Sequence, residues 1–201
     1  MLVSSWGALK SKTGPVVLIA VGLVACSSTP DQPLAVKADK PFAAGGTIEM
    51  QLEAGSYAVR AAPDDRIRVS FGGNTGNATA ELTTNGANAN LTVRDTPHNN
   101  FRATLEVPQT ADLTLHMTAG NLDIAGVTGN KDIDSKAGNV TVSVPNPNAY
   151  GSVDGSVKVG DVNAGPFGNS SSGLSPHLTW SGPGKYKLHA TLGAGNLELK
   201  H

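Results

Sequence analysis

The chain has 201 residues, of which 39% are hydrophobic and only 4% aromatic, with 24 glycines. That composition suits one domain plus a leader, with small and β-branched side chains closing the core of an all-β fold. Lys10 and Lys12 fall in the leader, so the 15 basic residues drop to 13 against 16 acidic ones, and without clustered Lys and Arg no nucleic acid is expected as a partner. Cys26 is the only cysteine, which excludes intrachain disulfides and a paired-cysteine metal knuckle.

Residues 1–25 carry the two lysines and then, at 15–25, an uncharged apolar run shorter than the roughly 20 residues of a spanning helix. Charge, apolar run and small residues in that order mark a cleaved signal peptide. Its ending, Leu23-Val24-Ala25-Cys26, resembles the lipobox of bacterial lipoproteins. The resemblance implies cleavage after Ala25, a diacylglyceryl group on the Cys26 thiol and acylation of the new amino terminus. The expected partner is therefore a membrane, held through lipid rather than a spanning helix. In such lipoproteins Ser27, in place of Asp, implies passage to the outer membrane. Residues 26–40, with Pro30 and Pro33 and little apolar content, are expected to form a flexible tether ahead of a domain at 41–201.

Alternation begins at Ile48, Met50 and Leu52, with Glu49, Gln51 and Glu53 on the opposite face. A bend at Ala54-Gly55-Ser56 precedes Tyr57 and Val59; Pro63-Asp64-Asp65 makes a turn before Ile67, Val69 and Phe71. Gly/Asn bends at 72–77 and 85–88 flank a strand at 78–82, followed by strands at Leu91 and Val93 and at Phe101, Ala103, Leu105 and Val107. The glycine-rich stretches lack the Lys-Ser/Thr ending and following helix of a phosphate-binding loop.

From Leu113, Leu115 and Met117 the chain becomes repetitive. Ala119-Gly120-Asn121-Leu122-Asp123-Ile124 returns as Ala137-Gly138-Asn139-Val140-Thr141-Val142 and as Ala194-Gly195-Asn196-Leu197-Glu198-Leu199. Gly followed by Asn readily takes positive φ, so each copy is expected to be a bend feeding a half-buried strand. Gly120 to Gly138 is 18 residues, Gly138 to Gly155 is 17 and Gly155 to Gly173 is 18. That period predicts a single-stranded parallel β-solenoid with each turn stacked on the last, Asn121 lying over Asn139, and the turn at 186–199 at the exposed end. A meander of hairpins is the alternative, but its turns would recur about every 8 to 12 residues.

Residues 101–144, with Leu105-Glu106-Val107-Pro108, Gly120-Asn121-Leu122 and Gly138-Asn139-Val140, resemble the bacterial β-strand-repeat family catalogued as "putative adhesin", a domain of unknown function. The closing 193–199 segment resembles that family's ending. The resemblance implies a right-handed β-solenoid (β-helix) on the bacterial surface or in the periplasm, of largely unassigned function and with no catalytic residues to carry over; no residue set in the chain points to a reaction or a cofactor. The insertion at 165–184 departs from the family pattern.

Enzymes on β-helix scaffolds place carboxylate clusters on one outer face, for which Asp123, Asp132, Asp134, Asp154 and Asp161 are candidates. Three of these are the outward half of ordinary alternation, so a binding module is preferred over a carbohydrate-active enzyme. The five histidines, His98, His116, His177, His189 and His201, show no metal-ligand spacing. The insertion combines Phe167, His177 and Trp180 with flexible Gly and Ser. Exposed aromatics supply contact area at little entropic cost, so these three are the expected binding residues for a glycan, matrix or envelope-protein partner. Trp180 as a cap on the core is the competing expectation.

Overall fold

Alternating aliphatic and polar residues give extended segments that bury one face, and the chain solves that burial with a bent, layered, mixed β-sheet. A computed structural model describes residues 34–201; the leader and Cys26 lie outside the described residues. The strands are β1 (Ala35–Pro41), β2 (Thr47–Leu52), β3 (Gly55–Ala61), β4 (Arg66–Gly73), β5 (Thr79–Asn85), β6 (Asn88–Arg94) and β7 (Phe101–Val107). Then come β8 (Asp112–Ala125), β9 (Lys131–Ser143), β10 (Tyr150–Ala164), β11 (Asn169–Leu174), β12 (His177–Ser181) and β13 (Tyr186–Lys200).

The four long strands each bend at a glycine of positive φ: Gly120 at 119°, Gly138 at 121°, Gly160 at 140° and Gly195 at 130°. They run parallel and in register, Gly120 beside Gly138, Gly138 beside Gly195 and Gly195 beside Gly160. Further layers are split at the bend: β2 and β3 pair parallel with the two halves of β8, and β6 and β2, like β7 and β3, pair parallel in turn. Antiparallel strands cover both ends. β5 lies on β6, β4 on β7 and β1 on β4, while β12 and β11 lie on the two halves of β10.

Three expectations are corrected. The succession of turns in a single-stranded right-handed solenoid is not the arrangement seen, because the order is β8-β9-β13-β10 and the sheet mixes parallel with antiparallel pairs. The last repeat is therefore an interior layer with neighbours on both sides, not an exposed end. Secondly, only the first of the three glycine spacings joins two bends. Gly155 pairs with Ala190, and its missing Cβ leaves room for Leu197, while Gly173 lies antiparallel to Gly160, the true fourth bend. Thirdly, β1 begins inside the 26–40 tether: Asp39 pairs with Arg68 in register, and its carboxylate accepts from Arg66 Nε at 2.8 Å.

Inward columns make the core. Leu115, Ile133 and Ala190 stack in register, as do Leu122, Val140, Leu197 and Val162, and all are buried. One column is broken by Lys131, only 2% exposed between Leu113 and Leu188. Its Nζ donates to the Gly129 carbonyl at 2.8 Å and to Tyr150 Oη at 3.0 Å. Burial pushes the Lys131 amine down to about 8, against a smaller upward pull from Asp112, and burial pushes the Tyr150 hydroxyl up to about 12.

Two outcomes follow from this packing. A Cβ on Gly138 would lie 1.8 Å from the Gly120 carbonyl oxygen, so Gly138→Val should cost about 3 kcal/mol or more in denaturant unfolding, while Thr141→Val on the outer face stays within about 0.5 kcal/mol. For Lys131, both states hold the proton below pH 8, and the folded state then carries the full burial penalty. Between the folded value of about 8 and the ordinary 10.5 the unfolded chain binds more protons, so stability rises with pH by something on the order of 3 kcal/mol. Urea midpoints measured across that window should show the rise in the wild type and lose that component in Lys131→Met.

Candidate functional site

Two polar faces flank the bend, because the strand half before the glycine and the half after it each turn one set of side chains outward. After the bend the outward column runs Ser56, Asn121, Asn139, Asn196, Asp161 and Ser172 across successive strands. Asn196 Nδ2 donates to Asn139 Oδ1 at 2.8 Å and Asn139 Nδ2 to Asn121 Oδ1 at 3.0 Å, forming an exposed amide ladder. With its amide turned over, Asn196 gives up that bond and donates to Asp161 Oδ2 at 3.3 Å, so Asp161 and Asn139 are alternative acceptors for the same amide. The ladder anticipated at Asn121 over Asn139 is present, and Asn196 joins it.

Where the ladder meets β3 the surface dips into an open depression of about 540 Å³, lined by Leu34, Ser56, Ala58, Arg60, Arg102 and Asp123 among others. Small residues on β3 make the depression, since Ser56 and Ala58 stand where longer side chains would fill it. Arg60 fixes one wall. Its Nη1 and Nη2 donate to Asp123 Oδ1 and Oδ2, both at 3.3 Å, and Nη1 also donates to the Asp123 carbonyl at 2.9 Å. Asp123 is thus the partner of an arginine, held in a bidentate pair that keeps a fixed geometry at the surface.

Before the bend the outward columns carry Asp132, His189 and Asp154 in one row and His116, Asp134 and Thr191 in the next. Asp154 bridges two histidines, with Oδ2 3.2 Å from His177 Nε2 and Oδ1 3.2 Å from His189 Nδ1. Among the described residues no group of three or more His, Cys, Asp or Glu is arranged to hold a metal ion. The five aspartates proposed from sequence are spread over two faces instead of gathering in one cleft: Asp132, Asp134 and Asp154 lie before the bend, Asp123 and Asp161 after it.

The expected contact residues separate. Phe167 and Trp180 lie with ring centroids 4.8 Å apart and planes tilted by 53°, Tyr150 meets Phe167 edge-on at 6.5 Å and Tyr186 at 6.3 Å, and both Phe167 and Trp180 are partly buried against the core. They close the end of the core beside Lys131, which is the capping arrangement. Trp180 also lies over Gly182, where a Cβ would come 2.0 Å from its ring. His177 alone of the three is exposed. The residues not anticipated as a site are Arg60, Ala58 and Ser56. Their signal is the unusually small outward positions of β3, which alternation alone does not distinguish from ordinary strand surface.

No protein-family model matches the chain. No curated protein sequence matches it either. Among solved structures it is similar to a "putative cell adhesion protein" from Clostridium sporogenes, 12% identical, covering 84% of this chain and 99% of that one with a TM-score of 0.51. A "putative adhesin" from Bacteroides fragilis is 10% identical over 85% of this chain and 98% of that one, with a TM-score of 0.26. At such identities the likeness to the Clostridium protein is one of fold, an all-β architecture matched along nearly the whole of that molecule.

Proposed function

We propose that this protein is a non-catalytic, adhesin-like binding module of the bacterial cell envelope, carried to the outer membrane on lipid at Cys26. The observation that carries the reading is the amide ladder Asn121-Asn139-Asn196 running toward the Arg60-Asp123 depression. Strands in register repeat the same donor and acceptor about every 4.8 Å. Such a row suits an extended polymer with recurring hydroxyls, so a glycan is the preferred partner over a globular protein. The backbone ladder beneath it holds the side chains in place, which lowers the ordering cost of binding. The spread of the aspartates gives the carbohydrate-active enzyme reading no support.

Anchoring rests on the Leu23-Val24-Ala25-Cys26 ending.

Two measurements test these readings. Mass spectrometry of the membrane-extracted chain should find fatty acyl groups on Cys26, and Cys26→Ser should move the protein to the soluble fraction; unchanged membrane partitioning would refute the anchor. For binding, a glycan array probed with the purified domain should give hits that weaken about tenfold or more in an Asn139→Ala, Asn196→Ala double variant, with unchanged thermal unfolding. Retained binding in that variant, with loss in His177→Ala, would relocate the contact to the other face.

A further inference from the structure

We propose that the free edge of β11 is a self-association surface, at which two copies of this chain pair antiparallel about a two-fold axis. β11 ends the strand order, with β10 as its only paired strand among the described residues. Its six residues, Asn169–Leu174, hold no charge and no proline. Beside it lies apolar surface: Leu174 is 83% exposed and its register partner Val159 is 54% exposed.

Natural sheets blunt their open edges with charge, proline, bulges or cover, and the far end of this sheet does so. β1 carries Lys37, Lys40 and Pro41, has a register shift between Val36 and Ala38, and lies alongside β5, which itself bears Glu81. β12, the other half of the last layer, follows Pro176 and displays the His177-Asp154 pair. β11 has none of these guards. The contrast lies between two ends of one sheet, so it is not a property of the fold as such.

The symmetry of the contact follows from which edges are open. Head-to-tail growth would join β11 to β1, where Pro41 offers no N–H and the shift at Val36 breaks the ladder. Pairing β11 with its own copy uses the unguarded edge on both sides and closes after two molecules. In an antiparallel pair, opposite residues point their backbone groups the same way, so the axis must pass through a residue pair, at Ser171 or Ser172. Either choice sets uncharged residues against one another across the seam, the central ones being Ser170 to Gly173. No charge meets its own image, and serine hydroxyls can pair across the seam. A partner of opposite charge has nothing on this edge to recognise, which leaves a neutral strand, and the chain supplies one.

Sedimentation velocity on the full chain extracted from membranes in detergent tests the proposal. Mass should rise with concentration from monomer to dimer and stop there. Whichever serine lies on the axis meets its own image, two carboxylates in Ser172→Asp or two amines in Ser171→Lys, so at least one of these variants should weaken dimerisation about tenfold or more with an unchanged melting temperature. Ser171→Cys or Ser172→Cys should oxidise to a disulfide-linked dimer where Lys37→Cys does not, with the wild type oxidised in parallel as the measure of any Cys26 contribution. A monomer at every concentration, growth beyond the dimer, or equal dimerisation in both charged variants would overturn it.

Discussion

The structure depends on one close approach, between the α-carbon of a glycine and the carbonyl of the glycine one layer away. A Cβ would come within 1.9 Å of a carbonyl oxygen at Gly120 and within 1.8 Å at Gly138, Gly195 and Gly160, so no other residue fits and none can be exchanged for its neighbour. The bend also reverses which residues face inward. In β8 the buried set before it is Leu113, Leu115 and Met117, and after it Leu122 and Ile124. A slip of one residue would put a side chain on the carbonyl and turn both apolar halves outward together, so the glycine column and the core specify the same register.

That shared register is what turns an ordinary solvated surface into a patterned one. Because each layer repeats at the same height, one outward asparagine becomes a row, and one aspartate beside histidines becomes a grid. The same regularity is a hazard, since parallel in-register strands with amide ladders are the geometry of fibrils. This chain limits it by covering both ends of the parallel stack with antiparallel strands and by placing charge, a bulge and proline at β1.

Strand positions and most of the bends are legible in the sequence because both are local. Two-residue alternation marks a half-buried strand, and Gly-Asn marks positive φ, so the repeat spacing is enough to place Asn121 over Asn139. The fourth bend escapes that signal because Val159-Gly160-Asp161 replaces the Ala-Gly-Asn signature while keeping its glycine. β1 reads as tether because it has little apolar content and a register shift between Val36 and Ala38 breaks its alternation; its partner on β4 lies far along the chain. Little local marks Lys131 as buried, because beyond the nearby Gly129 carbonyl its hydrogen-bond partner is Tyr150 Oη, from another strand. The same reason hides the fate of Trp180. A Gly/Ser/Pro-rich context resembles an exposed loop, yet Leu178 and Trp180 alternate in β12 and feed the core's edge.

Strand order is the part no local signal can carry. β9, β10 and β13 each present a bend glycine at the same height, so the glycine column alone does not decide whether Gly138 lies beside Gly195 or beside Gly160. The chain inserts its C-terminal strand between β9 and β10, pairing Lys131 with Leu188 and Val153 with Leu188 across long sequence separations. Insertion gives β13 two ladders where an end position would give it one, and it leaves β10 free to fold back on β11 and β12 as a neutral closing layer. It also means that the stack is incomplete until the last residues are in place. Contacts of such long range are slow to form, and the order observed is accompanied by an aromatic closure at one end, where Tyr186 meets Tyr150, and by a bond from Lys187 N to Asn130 Oδ1 at 2.8 Å. Those contacts belong to β13 and not to the repeat itself, which is why the repeat alone does not determine the topology.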